Sequence, residues 1–247
     1  EGPTYTSGPI SVRVRGEGQG ERGGIVATGS IKRGQMVLRE YPIILLPKDD
    51  NSVTVAGTEK CLKELPQELQ DAFWALSDRA EAERERDRET GETGETKGPS
   101  LSLKLPKTLQ GVITHNCFSC EDSHPPPFHN CVCLTASRFN HSCVPNVTRY
   151  WNSDENAMVF HASRDIEAGE ELFISRVPIK ACYAERQRLL REACTECRCA
   201  LCTASEEERA VHDALCAQDE AYLDAVETGM EELDFEGVVS TLKQVGA

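Results

Sequence analysis

Three things are scarce in this chain, and each scarcity narrows what it can be. No apolar run approaches the roughly 18 residues that cross a bilayer, although hydrophobic residues make up 39% of the 247. A membrane protein is therefore not expected. Positive charge is short: 27 Lys and Arg face 41 Asp and Glu, for a net charge of -14. That balance opposes non-specific attraction to a nucleic-acid backbone, so direct nucleic-acid binding is not expected. An acidic surface steers a basic, lysine-rich peptide, and it also simply keeps a protein in solution. Residue 1 is Glu and no charged-then-apolar leader follows it, so targeting is not readable there.

Cysteine, in contrast, is plentiful. Twelve Cys would suggest a disulfide framework in a short secreted chain, but these cluster at metal-like spacings. The compartment expected is reducing, cytoplasmic or nuclear. The length suits one main core with a small appendage.

The cysteines that matter most lie in two places. Near the middle stands Arg138-Phe139-Asn140-His141-Ser142-Cys143-Val144-Pro145-Asn146, and further on comes Cys197-Arg198-Cys199-Ala200-Leu201-Cys202. The second cluster offers three thiolates, whereas a closed structural zinc site takes four ligands in a tetrahedron. Cys143 is the natural fourth. The competing reading is four buried free thiols.

Elsewhere the pattern is mixed. Short β-rich runs punctuated by glycine fill residues 10–46, and one turn recurs, as Ile31-Lys32-Arg33-Gly34-Gln35-Met36-Val37 and as Ile166-Glu167-Ala168-Gly169-Glu170-Glu171-Leu172. Glycine after two polar residues permits a positive-φ turn into the next strand. Leu62, Leu65, Leu69, Phe73 and Leu76 share one helical face within residues 58–80. Residues 79–100 are low in complexity with little to bury, and read as a frayed helix and mobile loop. Asn152 to Asn156 form the turn of a hairpin. Beyond Cys202, Val211, Leu215, Tyr222, Leu223 and Val226, then Leu233, Val238, Val239 and Leu242, suggest a helical hairpin.

The paired motifs resemble those of the SET-domain protein methyltransferases, in which the Cys of an N-H-S-C-x-P-N motif joins a C-terminal C-x-C-x-x-C to hold zinc. The resemblance covers roughly residues 8 to 202 and is closest to the SET-and-MYND-like branch and its fungal relatives, with no Cys/His spacing for a MYND finger. It implies a mostly β SET domain with a helical insertion, an α+β fold. The N-terminal half would span 8–50, the insertion 51–112, the C-terminal half 113–180, a zinc-binding post-SET segment 181–202 and a helical hairpin 203–247. It implies an S-adenosylmethionine-dependent protein-lysine methyltransferase acting on a lysine-bearing protein. Zinc would be held by Cys143, Cys197, Cys199 and Cys202. The backbones of Asn140 and His141 would face the cofactor's adenine, with Asn116 on the preceding strand, and Arg22 and Gly24 in an altered N-terminal loop.

The chain departs from the family where the chemistry would be. After Gly169-Glu170-Glu171-Leu172 the resemblance calls for a tyrosine beside the transferred methyl, but Phe173-Ile174-Ser175 leads to Arg176. An aromatic residue expected just before the cysteine cluster is also absent from residues 192–196. A guanidinium about 4 Å from a sulfonium or an ammonium repels it by about 4 kcal/mol at an effective dielectric of 20. An outward turn of Arg176 relieves this and leaves space for Tyr183. An inward Arg176 suits a carboxylate instead, so a scaffold diverted to a small anionic metabolite, and a non-catalytic protein-binding module, are the alternatives. Cys117, Cys120, His124, His129, Cys131 and Cys133 form a third cluster, open to a second metal, an ordinary buried loop, or a redox or nucleophilic cysteine.

Overall fold

The computed structural model describes residues 4–6, 8–13, 23–47, 55–78, 107–120, 128–193 and 197–217. In chain order its strands are β1 (Thr4–Thr6), β2 (Ile10–Arg13), β3 (Gly24–Ala27), β4 (Met36–Glu40), β5 (Ile44–Pro47), β6 (Cys117–Ser119), β7 (Phe128–Val132), β8 (Asn140–His141), β9 (Val147–Asn152), β10 (Ala157–Ala162) and β11 (Glu171–Ile174). They form three small sheets, ordered β1-β4-β10-β9, β2-β3-β11-β8 and β5-β7-β6. Every pairing is antiparallel except that of β8 with β11. The main core lies among these strands, where Ile25, Val37, Leu38, Phe139, Phe160, Leu172 and Ile174 are buried together.

The recurring turn explains how the first two sheets interlock. Gly34 and Gly169 have φ of 79° and 84°, the left-handed region in which a side chain is strained. Ile31 and Ile166 exchange both backbone hydrogen bonds at 2.9 Å. The Gly34 N–H donates to Ala162 O, and in mirror fashion the Gly169 N–H donates to Ala27 O. Register follows the same rule: Met36 lies opposite His161, and Glu171 opposite Val26. The unit β3-turn-β4 and the unit β10-turn-β11 are thus two copies, each of which pairs its strands with the other's.

The insertion is helical, as the period predicts, but in two pieces. α1 (Val55–Glu64) and α2 (Gln67–Trp74) are separated at Pro66, which has no N–H to continue a helix. Leu62, Phe73 and Leu76 nevertheless share a second core with Ile44, Leu46, Leu109, Val112 and Val132, packing the insertion on the β5-β7-β6 sheet. The strand expected to carry Asn116 is instead α3 (Leu109–Asn116). Ile113 and Thr114 favour a strand, but the cap decides: Thr108 Oγ1 accepts the Gly111 N–H, and buried Asp78 accepts the Thr108 N–H at 2.8 Å. α4 (Tyr183–Glu192), α5 (Ala200–Thr203) and a further helical stretch, residues 206–217, complete the described chain. The mobile loop expected at 79–100 and the second half of the terminal hairpin lie outside the described residues.

Candidate active site and metal centre

Residues 140–146 are stitched into the sheet side chain by side chain. Asn140 Nδ2 donates to Gly23 O at 2.7 Å and to Glu171 Oε1 at 2.6 Å, tying β8 to both ends of the β3–β11 pair. The Ser142 N–H donates to Ile174 O, and Ser142 Oγ accepts the Val144 N–H. Asn146, buried, accepts the Phe173 N–H at 2.7 Å and donates to Glu171 O at 2.8 Å. Asn140 thus reaches the N-terminal half of the chain at Gly23, while most of the other bonds hold the motif along β11.

Three of the residues expected to face the cofactor meet at this junction. Gly24 adjoins Asn140 so closely that a Cβ there would stand 2.9 Å from Asn140 Nδ2 and 2.5 Å from Glu171 Oε1. Only glycine allows the Asn140 and Glu171 side chains to approach the β3 backbone this closely. His141 belongs to the junction through its backbone. Arg22 lies outside the described residues. Asn116 requires a correction, because it ends α3 rather than lying on a strand, and its Nδ2 donates at 2.7 Å to both Ser77 O and Val112 O. Its amide nitrogen therefore secures the end of the helix.

The four predicted metal ligands are together. Their sulfurs all lie within 4.8 Å of one another, and Cys143 stands 3.9 Å from Cys197 and 3.5 Å from Cys202. Thiolates about 2.3 Å from a tetrahedral zinc would stand about 3.8 Å apart, so the set fits that ion. The imidazole of His141 completes the surroundings. Its Nδ1 accepts the Arg176 N–H at 3.1 Å, which leaves the proton on Nε2, and Nε2 faces Cys143 Sγ at 3.4 Å. Sequence reasoning assigned only the backbone of His141; its side chain links the metal centre to residue 176. In the thiols themselves, the hydrogen bond from Cys143 holds Cys197 down to about 2, while that bond and burial push Cys143 up. Burial pushes Cys202 up to about 12.

Arg176 neither turns outward nor faces an empty anion site. Its Nη1 donates to His115 O at 2.9 Å, and its Nη2 lies 3.4 Å from Ser137 O and 3.5 Å from Phe139 O. Those carbonyls belong to the last turn of α3 and to the short 3₁₀ turn Ala136–Arg138 with the residue after it, where helical segments leave carbonyls unpaired and negative. Burial pulls the guanidinium's pKa below the ordinary arginine value; Cys117 opposes that shift and Arg149 adds to it. Tyr183 does not take the place of the missing tyrosine. Its ring lies under the Arg209 guanidinium at 4.2 Å and its N–H donates to Asp213, so it is committed to the 206–217 helix.

The third cysteine cluster supplies core residues. Cys120, Cys131 and Cys133 are fully buried, and burial pushes the thiols of Cys117 and Cys133 up. For Cys131 a hydrogen bond from Cys120 favours the thiolate, but Cys133 and burial outweigh it and push the thiol up. Protonated, buried thiols are poor nucleophiles. His124 and the side chain of His129 lie outside the described residues, and among the described residues only the Cys143 set has metal-holding geometry. Sequence reasoning also missed Glu40. It is 1% exposed, and its two oxygens accept the Thr135 and Ala136 N–H groups at 2.7 Å each, anchoring the turn that delivers Phe139 and Asn140. A lone Glu ending a strand gives no signal of that role.

A family model described as the SET domain matches residues 23–175. Histone-lysine N-methyltransferase set5 of Schizosaccharomyces pombe is 28% identical over 184 residues, covering 74% of this chain and 48% of that protein. Histone-lysine N-methyltransferase SMYD3 of Homo sapiens is 37% identical over 73 residues, covering 29% of this chain and 17% of that protein. The chain thus spans about half the length of the first relative and less than a fifth of the second. The solved SET domain of LSMT, bound to lysine and AdoHcy, aligns with a TM-score of 0.36 at 14% identity over 70% of this chain and 50% of that one. With a family match across more than half its length, the chain belongs to the SET-domain family.

Proposed function

We propose that this chain is the SET core of an S-adenosylmethionine-dependent protein-lysine methyltransferase with zinc in its four-cysteine site. The observation that carries the reading is the SET match over 23–175, laid on a junction where Gly24, Asn140 and His141 converge. The relatives named histone-lysine N-methyltransferases support a lysine-bearing protein as substrate, in the nucleus or cytoplasm. No helix among the described residues is long and apolar enough to cross a membrane.

In this reading the backbone around Gly24 and Asn140–His141 holds the cofactor, which when bound supplies an electrophilic methyl group. The chain's task is to bring up a neutral lysine amine, whose ordinary pKa is about 10.4, in line with that methyl. Zinc joins Cys143, next to the junction, to residues 197–202, so it braces the wall of the pocket. Arg176 stands where the family's tyrosine would be, and its charge is answered by carbonyls instead of being left facing the amine.

The test is calorimetry of S-adenosylmethionine on the zinc-replete protein, followed by mass spectrometry of a panel of lysine-bearing proteins, core histones among them, incubated with both. Micromolar binding that disappears in Asn140→Ala, with one-methyl mass gains on lysines, is the expected result. Absence of binding would sink the methyltransferase reading.

A further inference from the structure

In a chain of net charge -14, Arg149 packs on an aromatic ring and Arg176 on backbone carbonyls, and among the described residues neither pairs with a carboxylate. Both reach residues 115–118. The Arg149 guanidinium lies over the Phe118 ring at 5.4 Å, and Arg176 holds His115 O at 2.9 Å, so the two cations bracket Cys117. Arg176 is also seated on three converging carbonyls, those of His115, Ser137 and Phe139. Carbonyls gathered in this way form a seat for a cation, and here the chain's own guanidinium occupies it.

We propose that Arg176 is an internal competitor for its substrate's ammonium seat, and that the preferred substrate carries an acidic residue beside the target lysine. This inference rests on the methyltransferase reading of the same site. Binding is then an exchange of cations. The lysine head group takes the carbonyl ring, and Arg176 swings onto the substrate carboxylate, whose planar oxygens match its fork and whose other side faces Arg149. Without such a carboxylate, Arg176 would exchange several hydrogen bonds for none and so tends to stay seated. The pair selects against a uniformly basic tail by like-charge repulsion, the repulsive half of specificity.

The test uses the zinc-replete chain with S-adenosylmethionine and three fluorescent peptides, in which one lysine is flanked by Asp and Glu, by Asn and Gln, or by Arg. Fluorescence anisotropy should rank the acidic-flanked peptide about tenfold above the neutral one, as one charge-assisted fork predicts. Arg149→Gln should narrow that gap, and Arg176→Ala should tighten binding of the neutral-flanked peptide by vacating the seat. Equal binding of acidic and neutral peptides, preference for the basic one, or a preference that survives in an Arg149→Gln, Arg176→Gln double variant would overturn the proposal. If Arg176→Ala loses its zinc or its cooperative melt, Arg176→Gln, which keeps an amide donor but no charge, takes its place and must flatten the ranking. The two readings fail differently. Loss of the methyltransferase reading appears as no cofactor binding while the ranking persists, and loss of this inference as normal cofactor binding with a flat ranking.

Discussion

Replacing Glu40 by Gln removes one charge without removing volume, and the structure sets its cost. Both carboxylate oxygens accept backbone N–H groups at 2.7 Å, and the residue is 1% exposed, so water cannot take over either bond. In Glu40→Gln one oxygen still accepts, without its charge, while the amide nitrogen confronts an N–H it cannot satisfy. Hydrogen bonds to charged groups contribute about 1.5–3 kcal/mol, and a stranded buried donor costs about 1–3, with the two overlapping. The expected loss is about 2–4 kcal/mol. For a domain of this size that lowers Tm by roughly 5–15 °C. Urea denaturation of Glu40→Gln should be read beside Glu155→Gln, whose carboxylate pairs with Arg39 at 2.7 Å but is 39% exposed and is expected to lose no more than about 1 kcal/mol. Because Glu40 holds the turn that delivers Asn140, cofactor affinity should weaken in the first variant and not in the second. A loss below about 0.5 kcal/mol, or one equal to that of the Glu155 control, would refute the assignment of Glu40 as the buried anchor.

Three further outcomes follow from the same structure. Plasma mass spectrometry should count one zinc per chain, reduced to less than half in Cys143→Ser and unchanged in Cys131→Ser; two per chain would mean the third cysteine cluster also binds metal. In chelator-stripped protein Cys197 should be alkylated faster than Cys202 at neutral pH, because the hydrogen bond from Cys143 favours the Cys197 thiolate whereas burial keeps Cys202 protonated. Equal labelling of both would contradict the linked thiols. Gly34→Ala and Gly169→Ala should each destabilise by about 1 kcal/mol in urea, with little difference between them, since both glycines have positive φ and a Cβ at either meets nothing within 4 Å.

What was legible in the sequence was whatever a short spacing encodes. The four clustered cysteines were readable because three sit within six residues and the fourth lies in a recognisable motif. The twin turns were readable because glycine is nearly obligatory at positive φ. The insertion's apolar face was readable from its period, with Pro66 overlooked as the break between two helices. What was not legible depends on groups far apart in the chain. The Ile113-Thr114 run points to a strand, and a helix prevails because Asp78 reaches across to cap Thr108, a contact no local pattern announces. The position of Arg176 was readable as a departure, but its carbonyl partners lie at the end of α3 and in the 136–139 turn, which nothing in the sequence links to residue 176. Tyr183 was the natural substitute by nearness along the chain, and Arg209 and Asp213 claim it in space.

The reciprocal pairing of the two β-turn-β units has a consequence for how this domain assembles and varies. In the contacts that join the units, β4 leans on β10 and β3 on β11, so neither unit completes its sheet until the other arrives. The handshake cannot form early from local contacts and should be slow, as pairings between distant segments are. Once made, it is indifferent to how much chain runs between the partners, because the entropic cost of closing a loop grows only with the logarithm of its length. A stretch of chain could be lengthened, shortened or cut between the units while the clasp and its register survive. Two separately expressed halves, parted between β5 and α1, should find one another in solution and rebuild the junction around Asn140.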